Sequence, residues 1–191
     1  CESHITDMMH SRLLVEKFNI PFQVVELDNA FHILAAQFQS YLKLDGKKGK
    51  LLLANIKPRL RMIALYYSAQ ARNNLVIGTS NRSEINTGYS TKHGDIGVDL
   101  QLLGDLLKKE VYELAHYLQV PEIIIDKPPS GGLWPGQTDE DEMGITYQDL
   151  DGYLSDNEID PAASIKIENM IKRSEHKRKI PPIALIPDQL K

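Results

Sequence analysis

Apolar residues recur at intervals of three and four along much of the chain, a spacing that predicts amphipathic helices. After Asp28, a residue suited to a helix N-cap, Phe31 and Ala35 begin one such apolar face. Asp160 followed by Pro161 marks the start of the last helix. The predicted helices cover residues 8–20, a segment from 28, 55–72, 106–118, a short segment from 138, 147–154 and 160–174.

Short runs rich in β-branched residues separate these helices. Phe22–Leu27 and Leu75–Gly78 are predicted as strands, and Ile123–Ile125 has a strand-like composition. The segment Gly46–Gly49 is predicted as a loop. Strands that alternate with helices indicate an α/β fold with a doubly wound, mostly parallel sheet and flanking helices. Because two strands are too few for a stable sheet, we expect further strands on the N-terminal side of this sequence.

Composition narrows the class of protein. The chain has 191 residues, 42% of them hydrophobic and 25% charged, which is typical of a globular domain. A net charge of −4 gives no basic surplus for nucleic acid, so we expect no nucleic-acid partner. Its apolar runs are too short for a bilayer, so no membrane association is expected. The single cysteine, Cys1, excludes a disulfide framework and fits a cytoplasmic location.

A polar, glycine-punctuated segment follows the strand that ends at Gly78, where α/β proteins place their chemistry. Thr79 offers a hydroxyl, and Glu84 offers a hard carboxylate suited to Mg²⁺. Lys92 offers a point charge for an anion. A polar loop with a helix cap at Ser80 or Ser83 explains the same composition equally well.

Three later features add candidates. Lys108 lies on an amphipathic helix, where most lysines are simply solvated. The small residues Pro129–Gly132 form either a phosphate cradle or a plain tight turn. His176–Arg178 either clamp a phosphate-bearing substrate or complement the macrodipole at a helix C-terminus. Together these groups suit a nucleoside triphosphate with Mg²⁺.

In this order the motifs resemble the NAD synthetases, members of the nucleotide α-hydrolase-like ATP pyrophosphatases with a Rossmann-like fold. The resemblance covers about residues 55–182 and, more loosely, 3–27. It rests on the following segments: Asn55–Met62, Gly78–Glu84, Gly88–Asp95, Asp99 with Leu100, Pro128–Leu133, Gly136–Glu140, Gly144–Tyr147 and Glu175–Arg178.

The resemblance implies a ligase that adenylates the carboxylate of nicotinic acid adenine dinucleotide with Mg·ATP. Ammonia then displaces AMP to give NAD, and pyrophosphate is the other product. ATP is a co-substrate and Mg²⁺ a cofactor. The family further implies a cytoplasmic homodimer with sites near the subunit interface. Residues 1–191 would form a single synthetase domain of the short, ammonia-using type.

Site residues follow from the matched motifs. The resemblance assigns ATP contacts to Thr79, Lys108 and Ser130, and Mg²⁺ coordination to Glu84. It assigns the dinucleotide substrate to Arg59, Lys92, Asp99, His176 and Lys177.

Some features depart from the family pattern. The S-G-G-x-D-S phosphate loop does not occur in this sequence, so we expect roughly 60 residues, about one and a half βαβ units, to precede it. Ser130 stands where the family often has Thr, and Leu102 where it commonly has Pro. Two alternatives remain at this point: another ATP pyrophosphatase amidotransferase, and a catalytically dead, dimerising or nucleotide-binding remnant of the same fold.

Overall fold

Helices dominate the protein in this computed structural model, which describes residues 5–42, 46–134 and 136–188. The helices are α1 (Ile5–Phe18), α2 (Asp28–Tyr41), α3 (Gly46–Ala54), α4 (Ile56–Arg72), α5 (Arg82–Thr87), α6 (Lys108–Tyr117), α7 (Glu122–Ile125), α8 (Asp139–Met143), α9 (Tyr147–Leu154) and α10 (Pro161–Arg178). Within these residues, no helix has the length and apolar character needed to cross a bilayer.

The described residues contain one small parallel sheet. Strand β1 (Ile77–Gly78) pairs with β2 (Leu100–Gln101), with Ile77 opposite Leu100. Helix α5 lies in the crossover between them, as parallel pairing requires. A Cβ on Gly78 would lie 2.3 Å from Gln101 Oε1, so glycine lets the strands meet at this register. The α/β class is confirmed, and the strand predicted at Leu75–Gly78 is shortened to its last two residues.

Three local predictions were wrong. Phe22–Leu27 forms neither strand nor helix and is largely exposed, because β1 and β2 pair with each other and no described strand lies beside it. Ile123–Ile125 belongs to helix α7, which follows Pro121 at its N-cap. Gly46–Gly49, predicted as a loop, forms the first turn of α3. Its following leucines supply the local helix preference that outweighs the two glycines.

Two apolar clusters hold the elements together. The larger joins α8, α9 and α10, and Leu150 and Ile167 at its centre are fully buried. The smaller packs Phe31 and Ala35 of α2 against Leu60 of α4. The polar segment after β1 lies between the helices that these two clusters hold in place. Its side chains therefore project from a rigid scaffold.

Candidate functional site

A cavity of about 690 Å³ opens at the carboxyl end of β1. Helix α4 forms one side of it, and the segment after β1 and helix α8 form the other. Four of the predicted site residues line it: Thr79, Glu84, Ser130 and Lys177. This is the expected position for a ligand in an α/β fold.

Local sequence fixes Glu84 in the cavity wall. Asn81 caps α5 by accepting a hydrogen bond at Oδ1 from the Glu84 backbone N at 2.9 Å. In return, Glu84 Oε2 accepts from the Asn81 backbone N at 3.2 Å. This reciprocal capping box leaves Oε1 of Glu84 available to the site. The predicted cap at Ser80 or Ser83 was therefore wrong by one or two positions, since Asn81 takes this role.

Lys108, which is not among the residues that line the cavity, forms an ion pair with Glu84. Its Nζ lies 3.1 Å from Glu84 Oε1, and the two side chains are only 16% and 17% exposed. Lys108 is the first residue of α6, and the interpretation of it as a solvated face residue is wrong. A largely buried lysine beside a carboxylate provides a positive charge for a phosphate group.

A buried aspartate holds α5 and α6 together beneath this pair. Asp151 is 4% exposed and accepts hydrogen bonds from Ser83 Oγ at 2.6 Å and the Lys109 backbone N at 2.8 Å. The Lys108 backbone N lies 3.3 Å from the same carboxylate. Its negative charge also favours the N-terminus of α6. Asp151 therefore fixes the spacing between the helices that carry Glu84 and Lys108.

Sequence reasoning missed Tyr147 and Asp139 as site residues. The Tyr147 hydroxyl donates to Asp139 Oδ2 at 2.9 Å and lies 3.4 Å from Glu84 Oε1. Lys108 Nζ lies 4.8 Å from the centre of the Tyr147 ring. We call Glu84, Lys108, Asp139 and Tyr147 the anchored wall. Thr138 caps α8, and Asp139, the first residue of that helix, lines the cavity.

Burial dominates the electrostatics of the anchored wall. It raises the pKa of Tyr147, and the nearby charges of Glu84 and Asp139 raise it further. Burial also raises the pKa of Asp139, against the hydrogen bond from Tyr147 and the charge of Lys108. Tyr147 therefore stays a neutral hydrogen-bond donor, while the cost of ionising buried Asp139 is only partly offset by Tyr147 and Lys108.

A second polar group lies beside the anchored wall. Tyr89 donates its hydroxyl hydrogen to Glu142 Oε2 at 2.8 Å, and burial raises the pKa of Tyr89. Gln137 Nε2 donates to the same Glu142 oxygen at 2.6 Å. Gln137 Oε1 accepts from the Leu133 backbone N at 2.8 Å, which fastens the loop that carries Ser130. Ser130 Oγ accepts from the Gly132 backbone N at 3.1 Å, as expected for a tight turn.

Three further predicted residues form what we call the rim, consisting of Arg59, Lys92 and His176. Arg59 Nε donates to the Lys92 backbone oxygen at 3.3 Å. Lys92 Nζ lies 3.5 Å from His176 Nδ1. These contacts are more exposed than those of the anchored wall. The rim therefore gathers cationic and ionisable groups at one place without fixing them tightly.

The remaining predicted residues have structural partners. Lys177 Nζ donates to the backbone oxygens of Gly88 and Ser90, each at 2.6 Å. Asp99 Oδ2 accepts from the Val76 backbone N at 2.7 Å, and its Oδ1 accepts from Tyr66 at 3.1 Å. Asp99 does not line the cavity, and neither do the predicted residues Arg59, Lys92, Lys108 and His176.

The anchored wall fits a divalent cation in its chemistry. Glu84 and Asp139 supply hard carboxylate oxygens, and Asp139 Oδ1 is buried with no hydrogen-bond partner among the described residues. No group of three or more histidine, cysteine, aspartate or glutamate side chains forms a metal cluster in this described part. That is compatible with Mg²⁺, which usually keeps several waters and binds substrate phosphates in addition to one or two carboxylates.

Comparison with known proteins identifies the family of the chain. A family model described as NAD synthase matches residues 2–181. An NH(3)-dependent NAD(+) synthetase of Syntrophomonas wolfei subsp. wolfei is 65% identical over 191 residues, which covers 100% of this chain and 77% of the relative.

Solved structures share the fold. The structure of NMN synthetase from Francisella tularensis superposes with a TM-score of 0.87 at 41% identity, covering 97% of this chain and 74% of that one. The NH3-dependent NAD synthetase from Campylobacter jejuni subsp. jejuni NCTC 11168, in complex with the nitrate ion, gives a TM-score of 0.73 at 27% identity. It covers the same shares of both chains. The fold is of the α/β class found in these synthetases. The chain belongs to the NAD synthase family of enzymes, which confirms the resemblance drawn from its motifs.

Proposed function

We propose that this protein makes NAD by ATP-dependent amidation of nicotinic acid adenine dinucleotide, with ammonia as the nitrogen donor. The observation that carries the proposal is the ion pair between Glu84, which lines the cavity, and Lys108, 3.1 Å away, in a chain of this family. A carboxylate for a metal and an adjacent ammonium that can reach a phosphate are what a Mg·ATP reaction needs.

The proposed chemistry proceeds by activation of a poor acyl donor. An oxygen of the nicotinate carboxylate attacks the α-phosphorus of ATP, and pyrophosphate leaves. Ammonia then adds to the carbonyl carbon of the acyl adenylate and loses a proton to solvent, and AMP leaves with the original oxygen. Bound Mg²⁺ would neutralise the charge that builds on the departing phosphates.

The residue roles follow the position of each side chain. Glu84 would hold Mg²⁺, and Lys108 would move from Glu84 to an ATP phosphate oxygen. Thr79 and Ser130 line the same cavity and would contact ATP. On the rim, Arg59, Lys92 and His176 would bind the dinucleotide phosphates. Lys177 would act near them through the loop Gly88–Ser90 that it now ties down, and the role of Asp99 in substrate binding stays a prediction.

A second substrate deserves a direct comparison. The Francisella tularensis structure is described as an NMN synthetase and is 41% identical to this chain. The same amidation of nicotinic acid mononucleotide would then give NMN. The dinucleotide stays first because the relative that is 65% identical is named an NAD synthetase. Nicotinic acid mononucleotide lacks the adenylate half of the dinucleotide. A protein that uses the mononucleotide would therefore not need rim residues to bind that half.

The test is a product assay on the protein in the form in which its source makes it. Each nicotinate substrate is supplied separately with ATP, Mg²⁺ and ammonium chloride, and NAD, NMN, AMP and pyrophosphate are separated by chromatography. We expect NAD, AMP and pyrophosphate in equal amounts from the dinucleotide. A larger kcat/KM for the mononucleotide would replace the dinucleotide proposal with NMN synthesis. No amide product from either substrate would favour the nucleotide-binding remnant.

A matched pair of variants tests the metal role. Glu84→Gln keeps an oxygen for the capping box but removes the charge, and we expect a loss of about 100-fold or more in kcat. Glu113→Gln makes the same change at an exposed position of α6 and should leave kcat within twofold. Equal activity in the two variants would refute the role assigned to Glu84.

A further inference from the structure

Two loops flank the cavity, residues 88–95 and residues 128–137. Helix α4 starts close to both of them, within the first of the motifs that carry the family resemblance. Two side chains at this start, Asn55 and Lys57, each contact one of the loops. We call these two residues the α4 pair. The proposed chemistry gives neither of them a role.

Lys57 contacts the loop that carries Ser130. The residue is only 4% exposed, although most lysines keep their ammonium group in water. Its Nζ donates to the Leu133 backbone oxygen at 2.7 Å and lies 5.2 Å from the centre of the Phe31 ring. The Leu133 backbone N donates in turn to Gln137 Oε1 at 2.8 Å. Both backbone polar groups of Leu133, which lines the cavity, are therefore held by side chains from outside the turn.

Asn55 contacts the loop that carries Lys92. It occupies the N-cap position of α4, where an asparagine side chain usually accepts a hydrogen bond from a backbone N–H of the helix. Within the described part of the chain its side chain makes no such bond, and its Oδ1 accepts from Thr91 Oγ1 at 2.6 Å instead. Thr91 is 6% exposed, and its backbone N donates to Asp95 Oδ1 at 2.8 Å. The side chain suited to cap α4 therefore holds the loop.

The two contacts can restrain their loops separately. Residues two positions apart along a helix do not face each other, so the side chains of the α4 pair leave the helix in different directions. Both bonds are partly sheltered from water, since Lys57 and Thr91 are buried. Removal of one partner would leave the other polar group unsatisfied, at a cost that exceeds the net value of the bond. Each contact therefore restrains its own loop.

We propose that the α4 pair positions the two loops separately: Lys57 sets loop 128–137 for ATP, and Asn55 sets loop 88–95 for the dinucleotide. The inference rests on the proposed function, which assigns one substrate to each loop. Both members of the pair are positioning residues, since each acts through a residue of its loop. A general role in stability would instead weaken the binding of both substrates together.

A crossed kinetic experiment tests this division of roles on the protein in the form in which its source makes it. Lys57→Met keeps an apolar stem beside Phe31 but removes the donor, and we expect the KM for ATP to rise about tenfold, because a bond from a charged donor is lost. Thr91→Val removes the hydroxyl from which Asn55 accepts, and we expect the KM for the dinucleotide to rise about fivefold, because a neutral bond is lost. In each variant kcat and the other KM should stay within twofold.

The matched control is Lys48→Met. It makes the same change at an exposed lysine of α3 and should leave both KM values within twofold of the wild-type values. Amide hydrogen exchange, followed by mass spectrometry without any substrate, adds a second readout. We expect faster exchange in loop 128–137 of Lys57→Met and in loop 88–95 of Thr91→Val, while exchange in α9 stays unchanged. If Lys57→Met does not fold, Thr91→Val decides.

The outcomes separate this inference from the proposed function. Equal rises of both KM values in either variant, or wild-type values in either folded variant, would overturn the inference even if the protein makes NAD. Unaltered exchange in both loops would overturn it as well. Faster exchange confined to the expected loop in each variant would support the separate positioning of the loops even if the product assay shows another substrate, since hydrogen exchange requires neither ATP nor the dinucleotide.

Discussion

The anchored wall and the rim hold their side chains in different ways. The wall is fixed by buried hydrogen bonds between helices, such as Tyr147 to Asp139 at 2.9 Å, and it rests on the core around Leu150 and Ile167. The rim has exposed contacts of 3.3 and 3.5 Å, which involve Arg59, Lys92 and His176. Charged groups that take part in catalysis are more effective when the fold holds them in place beforehand. Groups that only bind the substrate can become ordered when the substrate arrives. The contrast predicts that wall variants lose stability or chemistry, and rim variants lose affinity.

The largest loss of stability should come from a change at Gly88, which lies between the anchored wall and the rim. Gly88 caps α5 with a φ of +64°, and a Cβ there would lie 2.1 Å from Ser174 Cβ on α10, the helix that carries His176. Gly88→Ala should lower the free energy of unfolding by about 3 kcal/mol, which combines left-handed strain with overpacking. Urea denaturation followed by circular dichroism measures it.

A second glycine isolates the strain from the clash. Gly136 has a φ of +74° with nothing within 4 Å of its Cβ position, so Gly136→Ala should cost only the strain of about 1 kcal/mol. Equal losses in the two variants would mean that α10 does not depend on a close approach at Gly88.

The next largest loss of stability should come from a change at Asp151, which holds α5 and α6 together beneath the anchored wall. Asp151→Asn replaces a buried charge that accepts from Ser83 and from the first backbone N–H groups of α6. We expect a loss of about 2 kcal/mol in unfolding free energy, because hydrogen bonds to a charged acceptor are strong. The loosened α6 should also raise the KM for ATP through Lys108. Asp105→Asn, at an exposed position, is the control and should change neither value.

Sequence reasoning found the residues better than their partners. Glu84 follows a strand in a capping-box pattern, so its position could be predicted from adjacent residues. Tyr147 reaches both Glu84 and Asp139 because α9 packs against α5, and such long-range contacts leave no periodic signal in the sequence. Gly144–Tyr147 was noticed as a motif, but its spacing alone could not say that the tyrosine turns into the cavity. The strand predicted at Phe22–Leu27 failed for a similar reason, since pairing depends on a neighbour and not on composition.

A rim variant should change binding without changing chemistry. Lys92→Ala removes a cation beside His176, and we expect the KM for the dinucleotide to rise about tenfold, or about 1.4 kcal/mol. The KM for ATP and kcat should stay within twofold. Lys109→Ala, which removes an exposed lysine of α6, controls for net charge. Steady-state titration of each substrate in turn decides the matter, and parallel increases in both KM values would place Lys92 in the ATP site.

The smallest effect is a pH dependence in the wall. Burial raises the pKa of Asp139 in the folded protein above its value in the unfolded chain, so the folded state holds this proton more tightly. Its contribution to stability is therefore fully present below the unfolded pKa, near 3.9, and is lost as the pH rises through the folded pKa. Asp139→Asn keeps an acceptor for Tyr147 but has no charge to bury. In a metal-free buffer the variant should gain on the wild type between pH 4 and pH 7, by about 1 kcal/mol at neutral pH, because burial of the charged carboxylate is only partly offset by its hydrogen bond. Urea denaturation of both proteins across this range measures the difference, with Asp141→Asn as the exposed reference. A difference that stays constant with pH would show that Asp139 ionises in the folded protein as easily as in the unfolded chain.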